Sequence, residues 1–209
     1  MAVPYRRLLG NSIAREQWLL NETRIVARLR LEGMDESAVT AKVRSENLFR
    51  YPTERTLQKI SRACNKRIDA LADERLVRMV AYGMPDAAVQ VNLYAMMQLY
   101  PLVRHFTTVE IARHYAELDH RFTDMNMNAS FTELASDYDN FATAADSTVA
   151  KLKQVLRKCL VEVGISTLDG RLQTVLLDPE FEHVLRERDD TAALAAFGIR
   201  GGGRCPQPI

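Results

Sequence analysis

From residue 12 to about residue 163 the apolar residues of this chain recur at helical spacing, and the period changes only after Gly164. The clearest pattern is in residues 53–71, TERTLQKISRACNKRIDAL. At about 100° of turn per residue, Leu57, Ile60, Cys64, Ile68 and Leu71 form one stripe. Arg55, Lys59, Arg62 and Lys66 form a second stripe on the opposite side, packed into about 60°. Pro52 and Thr53 supply the start signal, a helix-excluded ring followed by a capping hydroxyl.

The same reasoning divides the rest of the chain. Residues 1–11 are a lead-in with Pro4 and Gly10. Residues 12–32 are helical, with a break expected near Asn21 and Gly33 the stop. Asp35 caps a helix over residues 36–47. Asp73 caps a helix to Tyr82, and Gly83 ends it. Pro85 opens a helix whose stretch over residues 87–100, AAVQVNLYAMMQLY, is apolar nearly all round, the mark of a buried core helix. Pro101 breaks the chain, helix continues to Leu118, and a restart at Thr107 fits a capping box with Glu110. Residues 119–129 read as a polar loop, after which Ser130 and Glu133 form a second capping box. Helix then runs to about Phe141 and from Asp146 or Ser147 to Val163, as one long element or two, with Gly164 as C-cap. A short β-hairpin over residues 165–175 is expected around Asp169-Gly170. Asp178-Pro179 opens a helix to about Arg188, and residues 191–197 form a last turn. The pattern is that of an all-α fold, a compact multi-helix domain over residues 12–197, followed by a flexible glycine-rich tail at 198–209.

Charge changes this picture. The net charge of the 209 residues is only +1, but residues 42–67 hold eight basic and two acidic residues. Residues 147–161 hold Lys151, Lys153, Arg157 and Lys158 with no acid, while residues 110–139 have seven acids against two arginines. A neutral total therefore hides a basic face and an acidic one. The one-sign stripe costs helix stability through like-charge neighbours at i and i+4, which suggests an anionic partner. The plain alternative is a solvated surface helix that happens to be basic. A short turn joining residues 36–47 to this basic helix also matches the layout of a helix-turn-helix DNA reader. The candidate DNA contacts are Arg55, Lys59, Arg62 and Lys66, with Arg50 in the preceding turn. Lys151 and Lys158, with Arg171 on the hairpin, form a second candidate surface. The cations of residues 151–158 spread over roughly 160°, too wide to face one duplex together, so the first helix is expected to be the main reader.

Other chemistry is hard to find. The four histidines and Cys64, Cys159 and Cys205 have no metal-ligand spacing. No nucleophile elbow, phosphate-binding loop or zinc-protease motif occurs, so no enzyme activity, cofactor, metal or small-molecule substrate is expected. Three scattered cysteines point to a reducing cytoplasm. No run is long enough to cross a bilayer, and residues 1–20 lack a signal peptide's apolar region, so no membrane partner is expected.

The order of several segments resembles the BrxA family of BREX bacteriophage-exclusion systems. The similarity runs from about residue 10 to 185. It is carried by RIVARLRLEG at 24–33, residues 43–49 with Glu46-Asn47-Leu48, the helix over residues 56–71, LYPLVRHF at 99–106, KLKQVLRKCLVEVGISTLDG at 151–170 and LLDP at 176–179. The resemblance implies an all-helical fold similar to the NusB type, a place in a bacterial anti-phage defence system, and DNA binding without known catalysis; with the charge row, double-stranded DNA is the expected partner. Other BREX proteins or RNA are further partners it allows, with the chain as a helical adaptor. It carries over no site residues.

Overall fold

A computed structural model of the chain describes residues 13–199. The described part is all-helical: α1 (Ile13–Glu16), α2 (Leu20–Leu31), α3 (Glu36–Ser45), α4 (Glu54–Leu71), α5 (Glu74–Tyr82) and α6 (Pro85–Leu99) come first. α7 (Pro101–His105) runs through a π-helical turn (Phe106–Ile111) into α8 (Ala112–Ala116). α9 (Asp124–Asp137), α10 (Asp139–Ala142), α11 (Asp146–Glu162), α12 (Pro179–Glu187) and α13 (Thr191–Ala196) complete it. The lead-in over residues 1–11 and the Gly201–Gly203 run lie outside the described residues.

Local chemistry sets most of these boundaries. Asp35 accepts the Ala38 N–H at 2.7 Å, Thr53 the Thr56 N–H at 3.3 Å and Asp73 the Arg75 N–H at 2.8 Å. Each cap satisfies an amide that the helix itself leaves orphaned. α6 is the core helix its sequence predicts, with every residue from Gln90 to Met97 buried. α4 packs against α2, α3 and α6, and α2 and α6 both pack on α5. The back of α4 is therefore closed on three sides.

Three expectations are corrected and one is made definite. The break expected near Asn21 falls at residues 17–19, where Leu19 takes a left-handed φ of 46°. Arg67 causes this. It is fully buried on the back of α4, and its guanidinium donates to the carbonyls of Glu16 and Trp18, each at 2.5 Å, and of Gln17. Those carbonyls lie at the end of α1, where an intrahelical partner is missing. Asn92 of α6 adds a bond to the Trp18 carbonyl at 3.0 Å. Next, no restart occurs at Thr107. Its hydroxyl donates back to the Val103 carbonyl at 2.9 Å, and the chain passes through the π-helical turn instead. Third, residues 124–129 are helical. Thr123 with Asn126 forms the capping box, while Ser130 lies inside α9 and bonds the buried Glu110 carboxylate at 2.9 Å. Finally, the hairpin shrinks to a turn: antiparallel bridges join Ser166 to Leu172 and Arg121 to Arg171, and the described residues contain no strand. Gly170, at φ 79°, passes so close to residue 122 that a Cβ would lie 2.7 Å from the Phe122 carbonyl oxygen. That packing uses up the backbone a second strand would need.

At the other end of the core, Asp190 caps α13 and receives both Arg104 amino groups, at 2.6 and 2.8 Å. Burial pushes this carboxyl up, but the bonds from Arg104 and the Ala193 N–H outweigh it and hold the carboxyl below its ordinary value.

Two stability outcomes follow. Arg67→Met should orphan buried carbonyls and lower the unfolding free energy by about 3 kcal/mol or more in urea titration. A loss under about 1 kcal/mol would show that water replaces the guanidinium. Asp190→Asn should be less stable than wild type at neutral pH. A depressed carboxyl stabilises only while ionised in the folded state, so the gap should close as pH falls below about 3.9 and through the lower folded value. A gap independent of pH would contradict this.

Candidate nucleic-acid interface

The burial of α4's back leaves its front to solvent. Arg55, Lys59, Arg62 and Lys66 are all exposed. Eleven residue steps from Arg55 to Lys66 make the row about 16 Å long. It ends at Asp69, three residues past Lys66, whose carboxylate is held by Arg30 of α2 at 2.8 Å. Beside the row, Arg44 of α3 is bound to Glu54 at 2.6 Å. Arg50, in the α3–α4 turn, is exposed. The turn itself is pinned. The Tyr51 N–H donates to the Asn47 side chain at 3.0 Å, and the Tyr51 hydroxyl donates to Glu22 of α2 at 2.8 Å. Burial and the Glu22 carboxylate push that phenol up to about 12, so it stays a donor.

The second candidate surface is built differently. Lys151 is half-buried and bonded to Gln154 at 2.9 Å. Lys153 donates to Asn128 at 2.8 Å and lies over the Phe131 ring at 5.1 Å. Arg157 is paired with Asp124, and Lys158 stands 3.9 Å from Glu162. Lys158 also lines a polar cleft with Tyr51, so this end of α11 approaches the α3–α4 turn. Arg171 is exposed, with its backbone bridged to Arg121.

Partnering sorts the cations more sharply than exposure does. Among the described residues, the Lys and Arg side chains with neither a hydrogen bond nor an ion pair are Lys42, Arg50, Arg55, Lys59, Arg62, Lys66, Arg121 and Arg171. Six of these eight fall between residues 42 and 66, on α3, α4 and the turn between them. Sequence reasoning missed Arg121, which lay hidden in an acidic stretch. Periodicity left Arg67 out of the row, but could not show that it is fully buried.

Nucleophile chemistry is not prepared at the two described cysteines. Burial pushes the thiols of Cys64 and Cys159 up to about 12. Among the described residues no group of three His, Cys, Asp or Glu is placed to hold a metal ion. No helix there is long and apolar enough to cross a membrane.

The fold and this face define an all-helical protein with a one-sign cationic surface on a rigid helix. The chain belongs to the BrxA family, whose model matches residues 10–189. It is 28% identical over 146 residues to the BREX protein BrxA of Bacillus cereus (strain H3081.97), covering 70% of this chain and 72% of that one. It is 27% identical over 183 residues to the BREX protein BrxA of Paramagnetospirillum magneticum (strain ATCC 700264 / AMB-1), covering 86% and 91%. The crystal structure of an uncharacterized protein from Magnetospirillum magneticum has the same fold, with a TM-score of 0.75 at 24% identity over 88% of this chain and 95% of that one.

Proposed function

We propose that this BrxA-family protein is a non-catalytic component of a BREX anti-phage system that binds double-stranded DNA, with the α4 row lying along backbone phosphates. The observation that carries this is the cluster of unpartnered cations over residues 42–66. Most other described cations are held by a carboxylate, an amide or a carbonyl of the fold. Like charges at i and i+4 destabilise a helix unless something anionic lies across them. Phosphates spaced along a groove edge match a straight row of flexible cations. Single strands are disfavoured because base stacking needs free aromatic faces. The aromatics near the row, Phe49 and Tyr51, are half-buried and packed edge-to-face at 6.3 Å, with the Tyr51 hydroxyl held by Glu22.

A second reading, an adaptor that docks other defence proteins, draws on a different place. Leu168 is 88% exposed and Met125 77% exposed. Both border the groove beside the 167–170 turn. The two readings use separate surfaces and are compatible.

Reversing Arg55 and Lys59 together to Glu should weaken duplex binding at least about tenfold. Circular dichroism should be unchanged, since neither side chain touches the core. Reversing Lys153 and Arg157 should weaken binding less, because both are engaged within the fold. If the second pair abolishes binding and the first does not, α11 is the reader. Wild-type affinity should also fall steeply with salt, with a log–log slope of about −0.9 per phosphate neutralised, and unrelated duplexes should compete almost equally. Binding confined to one sequence and indifferent to salt would overturn the phosphate reading.

A further inference from the structure

Six non-glycine residues sit in the left-handed backbone region: Leu19, Asn47, Arg50, Ala72, Leu118 and Asp189. A Cβ crowds the following carbonyl there, so an L-residue needs a reason. Four have the same one. Asn47, Ala72, Leu118 and Asp189 follow the ends of α3, α4, α8 and α12, where a left-handed residue turns the chain off the helix. Leu19 starts α2 and packs its side chain on the core. Arg50 has neither reason. At φ 56° it closes no helix, its side chain is exposed, and no bond or ion pair within the described residues uses that side chain.

The turn around it is nonetheless held firmly. The Arg50 N–H donates to the Asn47 carbonyl at 2.9 Å, and the next residue is fixed from both its amide and its hydroxyl. The backbone of Arg50 is thus fixed within the turn, while its side chain makes no hydrogen bond or ion pair among the described residues. It also adjoins the row. Arg55 is five residue steps on, so their Cα atoms are at most about 18 Å apart, a few base pairs of a duplex.

We propose that Arg50 is a pre-positioned phosphate anchor: its side chain is kept at a strained turn position because the nucleic acid needs it, and the fold would be no worse without it. This rests on the phosphate-binding reading of α4. The turn fixes the anchor's backbone before binding, so little backbone freedom is lost when the phosphate is engaged. Arg50 then fixes where along the strand the α4 row begins.

The test uses the full chain and a short duplex of arbitrary sequence. It compares Arg50→Asn, Arg50→Gly and Arg50→Lys with wild type and with the Arg55→Glu/Lys59→Glu variant. Asn and Gly both tolerate the left-handed region. The expected result is an unfolding midpoint in urea at or above wild type for both. Their duplex affinity should be lower by roughly five- to tenfold, with a salt slope shallower by about one. Arg50→Lys should retain most of the affinity. Stability maintained while binding falls is the signature a structural role would not give. Wild-type affinity in the Asn and Gly variants would overturn the proposal. So would an unfolding midpoint that drops along with the affinity. If the α4 variant binds like wild type while the Arg50 variants do not, the α4 reading fails and the turn alone is the anchor. If wild type binds no duplex, both fail.

Discussion

A guanidinium shut away from water must find acceptors, and Arg67 finds them in three successive backbone carbonyls. That one interaction fixes two elements at once. It stops α1 and re-aims the chain into α2, and it locks the back of α4 to that break. Asn92 of the central helix reaches the same Trp18 carbonyl, so α4, α6 and the α1–α2 corner share one buried polar node. The Tyr100 ring lies 5.8 Å from the guanidinium and closes the pocket. With its back committed in this way, α4 cannot roll. The opposite face is held toward solvent by the core, and no surface contact is needed to keep it there.

The consequence is a division of labour among cations of one helix. Arg67 holds the fold and is consumed by it, whereas Arg55, Lys59, Arg62 and Lys66 are left over. Elsewhere the surface is arranged to neutralise itself. Arg75 gathers Asp73, Glu180 and Glu187, and Arg188 reaches both Asp73 and the Leu71 carbonyl at the end of α4. With Arg186 on Glu182 and Arg104 on Asp190, these pairs engage four of the six acids in residues 178–190. A net charge of +1 thus hides a cationic excess over residues 42–66 that is offset by an excess of acid elsewhere in the chain, as over residues 110–139.

Much of this is legible in the amino-acid sequence. Apolar spacing and caps foretold α3, α4, α5 and α6 nearly to the residue, because their signals are local: Asp35, Thr53, Asp73 and Pro85 act on amides within one turn. Most of what the sequence hides involves a partner distant in sequence. The break at residues 17–19 depends on Arg67, some fifty residues on. The helical start of α9 was obscured by its polar composition, and Ser130 looked like a cap because its real partner, Glu110, lies on the π-helical turn. In the site, periodicity placed the α4 row correctly on the exposed face. It could not show that Lys153 and Arg157 already have partners on α9, nor that Arg50 stands in a left-handed turn. Those facts decide which cations remain available.

The chain's six lysines divide evenly between the two basic segments, with Lys42, Lys59 and Lys66 in one and Lys151, Lys153 and Lys158 in the other. Amine-reactive labelling of the whole protein, read lysine by lysine by mass spectrometry with and without saturating duplex, therefore compares the two surfaces in one experiment. If the unpartnered face is the nucleic-acid surface, duplex should protect Lys59 and Lys66 strongly and leave Lys151 and Lys153 as reactive as in the free protein. Protection confined to the α11 lysines, with Lys59 and Lys66 unchanged, would contradict the account.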